Sequence, residues 1–98
     1  MIVEYIRYTI PADRAPAFEA AYTTASTSLG ASSHCLAYEL SRGVEEPANY
    51  ILRIEWDSVA GHEQGFRRSP EFRQFLQHIR PYITDIAEMR HYAPVLTG

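Results

Sequence analysis

Apolar and polar residues alternate from Ile2 to Ile10, with Ile2, Ile6, Tyr8 and Ile10 on one face and Val3, Tyr5 and Arg7 on the other. The run is rich in β-branched and aromatic residues and stops at Pro11, which predicts a strand. The period then lengthens. Phe18, Tyr22, Ala25 and Leu29 follow one another at helical spacing and form one apolar stripe. Asp13 is the predicted N-cap of this helix, Pro16 lies in its first turn and Gly30 is placed to end it. The Thr23–Ser28 stretch favours helix weakly, so fraying of the last turns is expected.

Alternation returns twice. In His34–Ser41, one face carries His34, Leu36, Tyr38 and Leu40, and the other Cys35, Ala37 and Glu39. In Tyr50–Trp56, Tyr50, Leu52, Ile54 and Trp56 oppose Ile51, Arg53 and Glu55. A short link with Gly43 and Pro47 joins the two, as in an antiparallel pair. Asp57 or Ser58 then caps a short helix with Val59, His62 and Phe66 on one side. Ser69-Pro70 is a second helix start, and Phe72, Phe75, Leu76 and Ile79 supply the stripe that Pro81 ends. A last strand is expected over roughly Ile83 to Tyr92.

The resulting β-α-β-β-α-β order is that of an α+β, ferredoxin-like fold, a four-stranded antiparallel sheet with its helices on one face. With 98 residues and no linker, repeat or low-complexity tract, residues 1–98 form a single domain. On the face away from the helices the alternation places Val3, Tyr5, Cys35, Ala37, Ile51, Ala87 and Met89. Arg7, Glu39, Arg53 and Glu55 are interspersed among them. So apolar a face predicts a homodimer packed sheet to sheet, with arginine–glutamate pairs satisfying the charges. A solvated face with scattered apolar residues is the alternative.

Composition then removes functions. Every basic residue is arginine, so lysine Schiff-base chemistry and a Walker phosphate loop are excluded. The formal net charge of -3, without a basic run, argues against nucleic-acid binding. The five glycines form no dinucleotide fingerprint. No apolar run approaches the ~20 residues of a bilayer crossing, so no membrane partner is expected. Met1-Ile2-Val3-Glu4 shows no secretory signal. One cysteine, Cys35, permits no internal disulfide and no cysteine zinc cluster, which suits a reducing cytoplasm.

Trp56-Asp57-Ser58-Val59-Ala60-Gly61-His62, followed by Gly65-Phe66-Arg67-Arg68-Ser69-Pro70-Glu71-Phe72, resembles the antibiotic biosynthesis monooxygenase (ABM) domain. Met89-Arg90-His91-Tyr92 is similar to that family's last strand. The likeness spans nearly the whole chain, and its specific part runs from Trp56 to Phe75. It implies a dimeric α+β barrel. It also implies oxidation of phenols or hydroquinones by dioxygen without metal or flavin, or, in other members, haem degradation. Cofactor-independent members carry an asparagine four residues before the tryptophan, where Leu52 stands here, and tend to have an aromatic hydroxyl near the position of His62. Haem-degrading members carry a first-strand asparagine, nearest here to Tyr5, and an iron-ligating histidine where this chain has the Phe66–Phe75 region.

The expected cavity lies between sheet and helices, lined by Tyr38, Leu52, Phe66, Phe72 and Phe75, with His34 as a further polar group. The same residues also make an ordinary core, and Trp56 fits a packing role. His62 is the candidate general base, because an imidazole titrates near neutral pH and a phenol must lose its proton before it gives an electron to dioxygen. A helix-face histidine bonded to a neighbouring backbone group is the alternative. Arg67 is the candidate for holding the resulting anion; Arg73 is similarly placed, and exposed arginines are common. His78 and His91 are expected at the surface or a dimer contact, and Cys35 on the dimer-facing side. His62-Glu63 lacks the second histidine of a zinc protease, and the serines of residues 26–33 have no nucleophile elbow. The leading expectation is a cofactor-free monooxygenase acting on a small phenolic or hydroquinone-like aromatic. The alternatives are a non-catalytic dimeric ligand-binding module and, behind it, a haem-binding or haem-degrading protein.

Overall fold

The computed structural model describes residues 1–98. Strands β1 (Ile2–Thr9), β2 (Cys35–Arg42), β3 (Asn49–Trp56) and β4 (Ile86–Tyr92) form one sheet in the order β2-β3-β1-β4, with every neighbour antiparallel. Helices α1 (Ala15–Gly30) and α2 (Pro70–Ile79) cover one face. This is the ferredoxin-like α+β arrangement predicted.

Sequence explains most element boundaries. At α2, the Ser69 hydroxyl accepts the Phe72 N–H at 3.2 Å and Pro70 occupies the first turn, a cap worth about 1 kcal/mol. The α1 start differs from expectation: Ala12–Arg14 form a 3₁₀ turn, and the position before the helix is Arg14, not Asp13. The α1 C-terminal half is helical through Gly30 rather than frayed, and Thr23, Thr24 and Ser26 give their hydroxyls to carbonyls three or four residues back. The final strand begins at Ile86, not Ile83; Arg80–Asp85 are a 3₁₀ segment that carries the buried Tyr82 into the core.

Two one-residue bulges alter which residues share a face. In β2, Cys35 pairs with Trp56 but Ala37 with Glu55, so Leu36 is the extra residue and stands 56% exposed. Cys35 therefore lies on the helix side, packed against the core, and not on the open face. In β4, Glu88 pairs with Arg7 and Ile86 with Tyr8, which leaves Ala87 unpaired. Met89 and His91 then sit opposite Ile6 and Glu4 on the helix side, while Glu88, Arg90 and Tyr92 join the open face. An extra residue inverts the two-residue alternation beyond it, and this is why Cys35, Met89 and His91 depart from expectation.

The core is unusually aromatic. Phe18 of α1 meets Tyr8, Tyr22, Tyr50 and Tyr82 with ring centroids 4.8–5.1 Å apart. The Tyr8 and Tyr22 hydroxyls are hydrogen-bonded to each other in the middle of this cluster. Desolvation raises both phenols, Tyr8 to about 12. The open face presents Val3, Tyr5, Ala37, Ile51 and Tyr92, with an Arg53–Glu55 ion pair at 2.6 Å. No helix is long and apolar enough to cross a membrane.

Candidate functional site

Between β3 and α2 the chain turns through Asp57–Ser69, and this connection carries the polar centre. The Ser58 hydroxyl accepts the Gly61 N–H at 2.8 Å. Gly61–Gly65 then form one π-helical turn, closed by the Phe66 N–H on the Gly61 carbonyl, in place of the α-helix expected. The wider turn leaves Val59 41% exposed and directs His62 and Phe66 inward.

The turn can take this path because it has glycines where it passes His34. A Cβ on Gly65 would lie 2.4 Å from the edge of the His34 ring, and one on Gly61 would strike Asp57 and lie 2.9 Å from His34 Nδ1. His34 itself bonds Asp57 at 2.8 Å on the outer side of the turn, and this bond holds the Asp57 carboxyl below its ordinary range. His34 is thus a brace outside the cavity, not part of its lining.

Inside, His62 is 3% exposed and stacks on Trp56, with ring centroids 4.5 Å apart and planes within 9°. Its Nδ1 lies 2.7 Å from His91 Nε2, and its Nε2 accepts from Arg67 Nε at 3.2 Å. Because Arg67 can only donate, His62 Nε2 is the acceptor and Nδ1 carries the proton given to His91. Burial, followed by the charges of Arg67 and His91, pushes His62 down to about 4. The imidazole is neutral at pH 7 and a weaker base than an exposed histidine, which runs against the expected role of general base.

Glu4 of β1, which the sequence pattern did not single out, completes the cluster. It is 1% exposed on the face shared with Ile6 and Tyr8. Its Oε1 accepts the Trp56 indole N–H at 3.0 Å and lies 3.5 Å from His62 Nε2. Its Oε2 is buried with no partner. Burial raises the Glu4 pKa, outweighing the Trp56 hydrogen bond and the charges of His91 and Arg67. Glu4, His62 and His91 each bring one ligating atom within 4.8 Å of the others. The Arg67 cation on His62 Nε2 and the bond between the two imidazoles make this a poor cation site.

Glu4, Trp56, His62 and Arg67 line a cavity of about 170 Å³ between sheet and α2, with His91 behind them. Phe66, Phe72, Phe75, Ile79, Ile83 and Met89 make up much of its apolar wall. Six of the expected site residues therefore converge: Trp56, His62, Arg67, Phe66, Phe72 and Phe75. Tyr38 and Leu52 do not join them. They line a separate, open groove of about 670 Å³ between α1 and β2, with Glu19, Arg42 and Tyr50. The cluster of Tyr8, Phe18, Tyr22 and Phe75 fills the space between groove and cavity.

A family model described as antibiotic biosynthesis monooxygenase matches residues 1–78. This chain belongs to the ABM family. Among curated proteins, the uncharacterized protein YczJ of Bacillus subtilis is 27% identical over 78 residues, 80% of this chain and 82% of YczJ. Among solved structures, an antibiotic biosynthesis monooxygenase-type protein of Bordetella bronchiseptica superposes with a TM-score of 0.80 at 26% identity, covering 97% of each chain. SnoaB of Streptomyces nogalater, a cofactor-independent oxygenase, superposes with a TM-score of 0.79 at 15% identity, covering 98% of this chain and 94% of SnoaB. At that identity the likeness to SnoaB is one of ABM fold.

Proposed function

We propose that this ABM-family chain is a monooxygenase that oxidises a small, single-ring phenolic or hydroquinone-like aromatic with dioxygen, without metal or flavin. The observation that carries the reading is the aromatic-walled cavity ending in a buried polar cluster of Glu4, Trp56, His62 and Arg67. Its volume of about 170 Å³ suits one ring and not a haem macrocycle, which places haem degradation behind this reading.

The chemistry asks little of a cofactor. A phenol that loses its proton becomes an electron-rich phenolate. In forming a quinone it supplies all four electrons that dioxygen takes, one oxygen atom entering the ring and the other leaving as water. The site must therefore accept a proton, exclude bulk water and hold the anion beside oxygen. The buried Glu4 carboxylate provides an acceptor, the phenylalanines exclude water, and Arg67 provides the positive charge. The open sheet face supports a homodimer whose two sheets close an α+β barrel, and the single free thiol of Cys35 fits a cytoplasmic setting.

Oxygen consumption by the purified protein with a panel of simple phenols and hydroquinones tests the reading. The expected result is protein-dependent uptake matched by quinone absorbance, abolished by Trp56→Ala and Arg67→Ala variants that remain folded. Saturable binding of the same compounds without uptake would show a non-catalytic ligand-binding module instead.

A further inference from the structure

We infer that Glu4 Oε2 is the atom in the cavity that receives the hydroxyl proton of the ligand, and that the site selects hydrogen-bond donors of the phenol class. The inference rests on the cavity reading above but assigns a residue and a specificity that the ABM likeness does not supply.

Each buried side-chain polar atom of the cluster except one already has a partner. The Trp56 indole N–H is given to Glu4 Oε1. His62 Nδ1 is bonded to His91, and His62 Nε2 receives Arg67 Nε. Another Arg67 nitrogen, Nη2, points to Met89 Sδ at 3.7 Å. Glu4 Oε2 alone is buried, lines the cavity through its residue and has no partner. A buried carboxylate oxygen without a donor is costly, and a ligand hydroxyl placed against it removes that cost. A ligand of the same shape without the proton leaves the oxygen unpaired and is rejected.

The step is a simple proton transfer. The ligand O–H bond breaks, its electron pair stays on the ligand oxygen, and the proton forms a new bond to Glu4 Oε2. The charge moves from Glu4 to the ligand, within reach of the Arg67 guanidinium. His62 acts as a positioning residue: neutral, stacked on Trp56 and tethered at both nitrogens, it fixes the indole that in turn orients the carboxyl. The groups facing Glu4 are His62 and Glu63 from the π-turn, Arg67 after it, His91 from β4 and Tyr8 from its own strand. Among them the Glu63 charge and burial favour protonation, while the His91 and Arg67 charges oppose it.

The test uses p-cresol and its methyl ether, 4-methylanisole, which differ only in the methyl that replaces the hydroxyl proton. Trp56 is the sole tryptophan, so its indole N–H resonance in a ¹H–¹⁵N spectrum reports on this cavity without assignment ambiguity. At pH 7.5 the wild type is expected to bind p-cresol at least tenfold more tightly than 4-methylanisole. In Glu4→Gln, which keeps an acceptor for the indole, the preference should fall to threefold or less. In the wild type it should also disappear as the pH drops through the Glu4 midpoint, because a protonated carboxyl no longer accepts at that oxygen. This second measurement needs no variant and stands if Glu4→Gln fails to fold.

Equal affinity for the two probes in the wild type would overturn the assignment of Glu4 while leaving the cavity as a binding site. A preference that survives Glu4→Gln but is lost in His62→Ala would name His62 as the acceptor. A preference that persists below the Glu4 midpoint would also overturn the assignment. Failure of both probes to move the indole resonance would overturn the cavity reading and the inference with it.

Discussion

His62 shows how burial redirects a residue whose type suggests another role. An imidazole held at about 4 when folded, against about 6.5 when unfolded, contributes stability that is fully present above pH 6.5. That stability is lost as the pH falls toward 4, because the unfolded chain takes up the proton first. The shift corresponds to at most about 3 kcal/mol. Glu4 has the opposite sign, since its raised pKa favours the folded state on acidification. The two are separated by comparison: the stability advantage of the wild type over His62→Gln should shrink by up to about 3 kcal/mol between pH 7 and pH 4, measured by urea denaturation. An advantage that stays constant over that range would mean that His62 is not held neutral. At this scale the sequence was informative for residue types and not for partners. Glu4 interrupts an otherwise apolar face of Ile2, Ile6, Tyr8 and Ile10, and that interruption was the available signal for a buried carboxylate.

Periodicity and caps made the six regular elements legible, and Ser69-Pro70 marked its helix start to the residue. Irregular geometry was not legible. Neither bulge carries a glycine or proline to announce it, so Leu36 and Ala87 look like ordinary strand residues. The π-turn was hidden for another reason: His62 and Phe66 sit at α-helical spacing, and only packing against His34 shows why Gly61 and Gly65 are there. Gly65→Ala is expected to expel the His34 ring and break its bond to Asp57. The cost should be about 1–2 kcal/mol, a fall in Tm of roughly 5–15 °C for a domain of this size. Adding His34→Ala, which makes room for the new methyl, should recover part of the loss. A double variant no more stable than Gly65→Ala alone would show that His34 is not the obstacle.

For the whole molecule, the open face of the sheet decides the assembly. Ile51 lies 41% exposed beside Tyr5, Arg7 and Tyr92, around a shallow hollow at the centre of that face. A single layer of sheet with helices on one side leaves such a surface unfinished, and a second copy would complete it. The wild type is expected to sediment as a dimer, and Ile51→Glu as a folded monomer with unchanged far-UV circular dichroism. A wild-type monomer at micromolar concentration would remove the barrel from the reading. The order of elements and the apolar character of this face were both evident from alternation. Its membership was less so, because Met89 and Cys35 were moved to the other side by the two bulges.

The packed rings of Tyr8, Phe18 and Tyr22 act as a bulkhead between two rooms of unequal size. One consequence concerns guest length: a fused polycyclic compound, too long for the inner room, meets this wall end-on. Toward the outer groove its path is closed by the hydrogen-bonded Tyr8–Tyr22 pair. Ring count is therefore a property that this architecture filters separately from the hydroxyl donor.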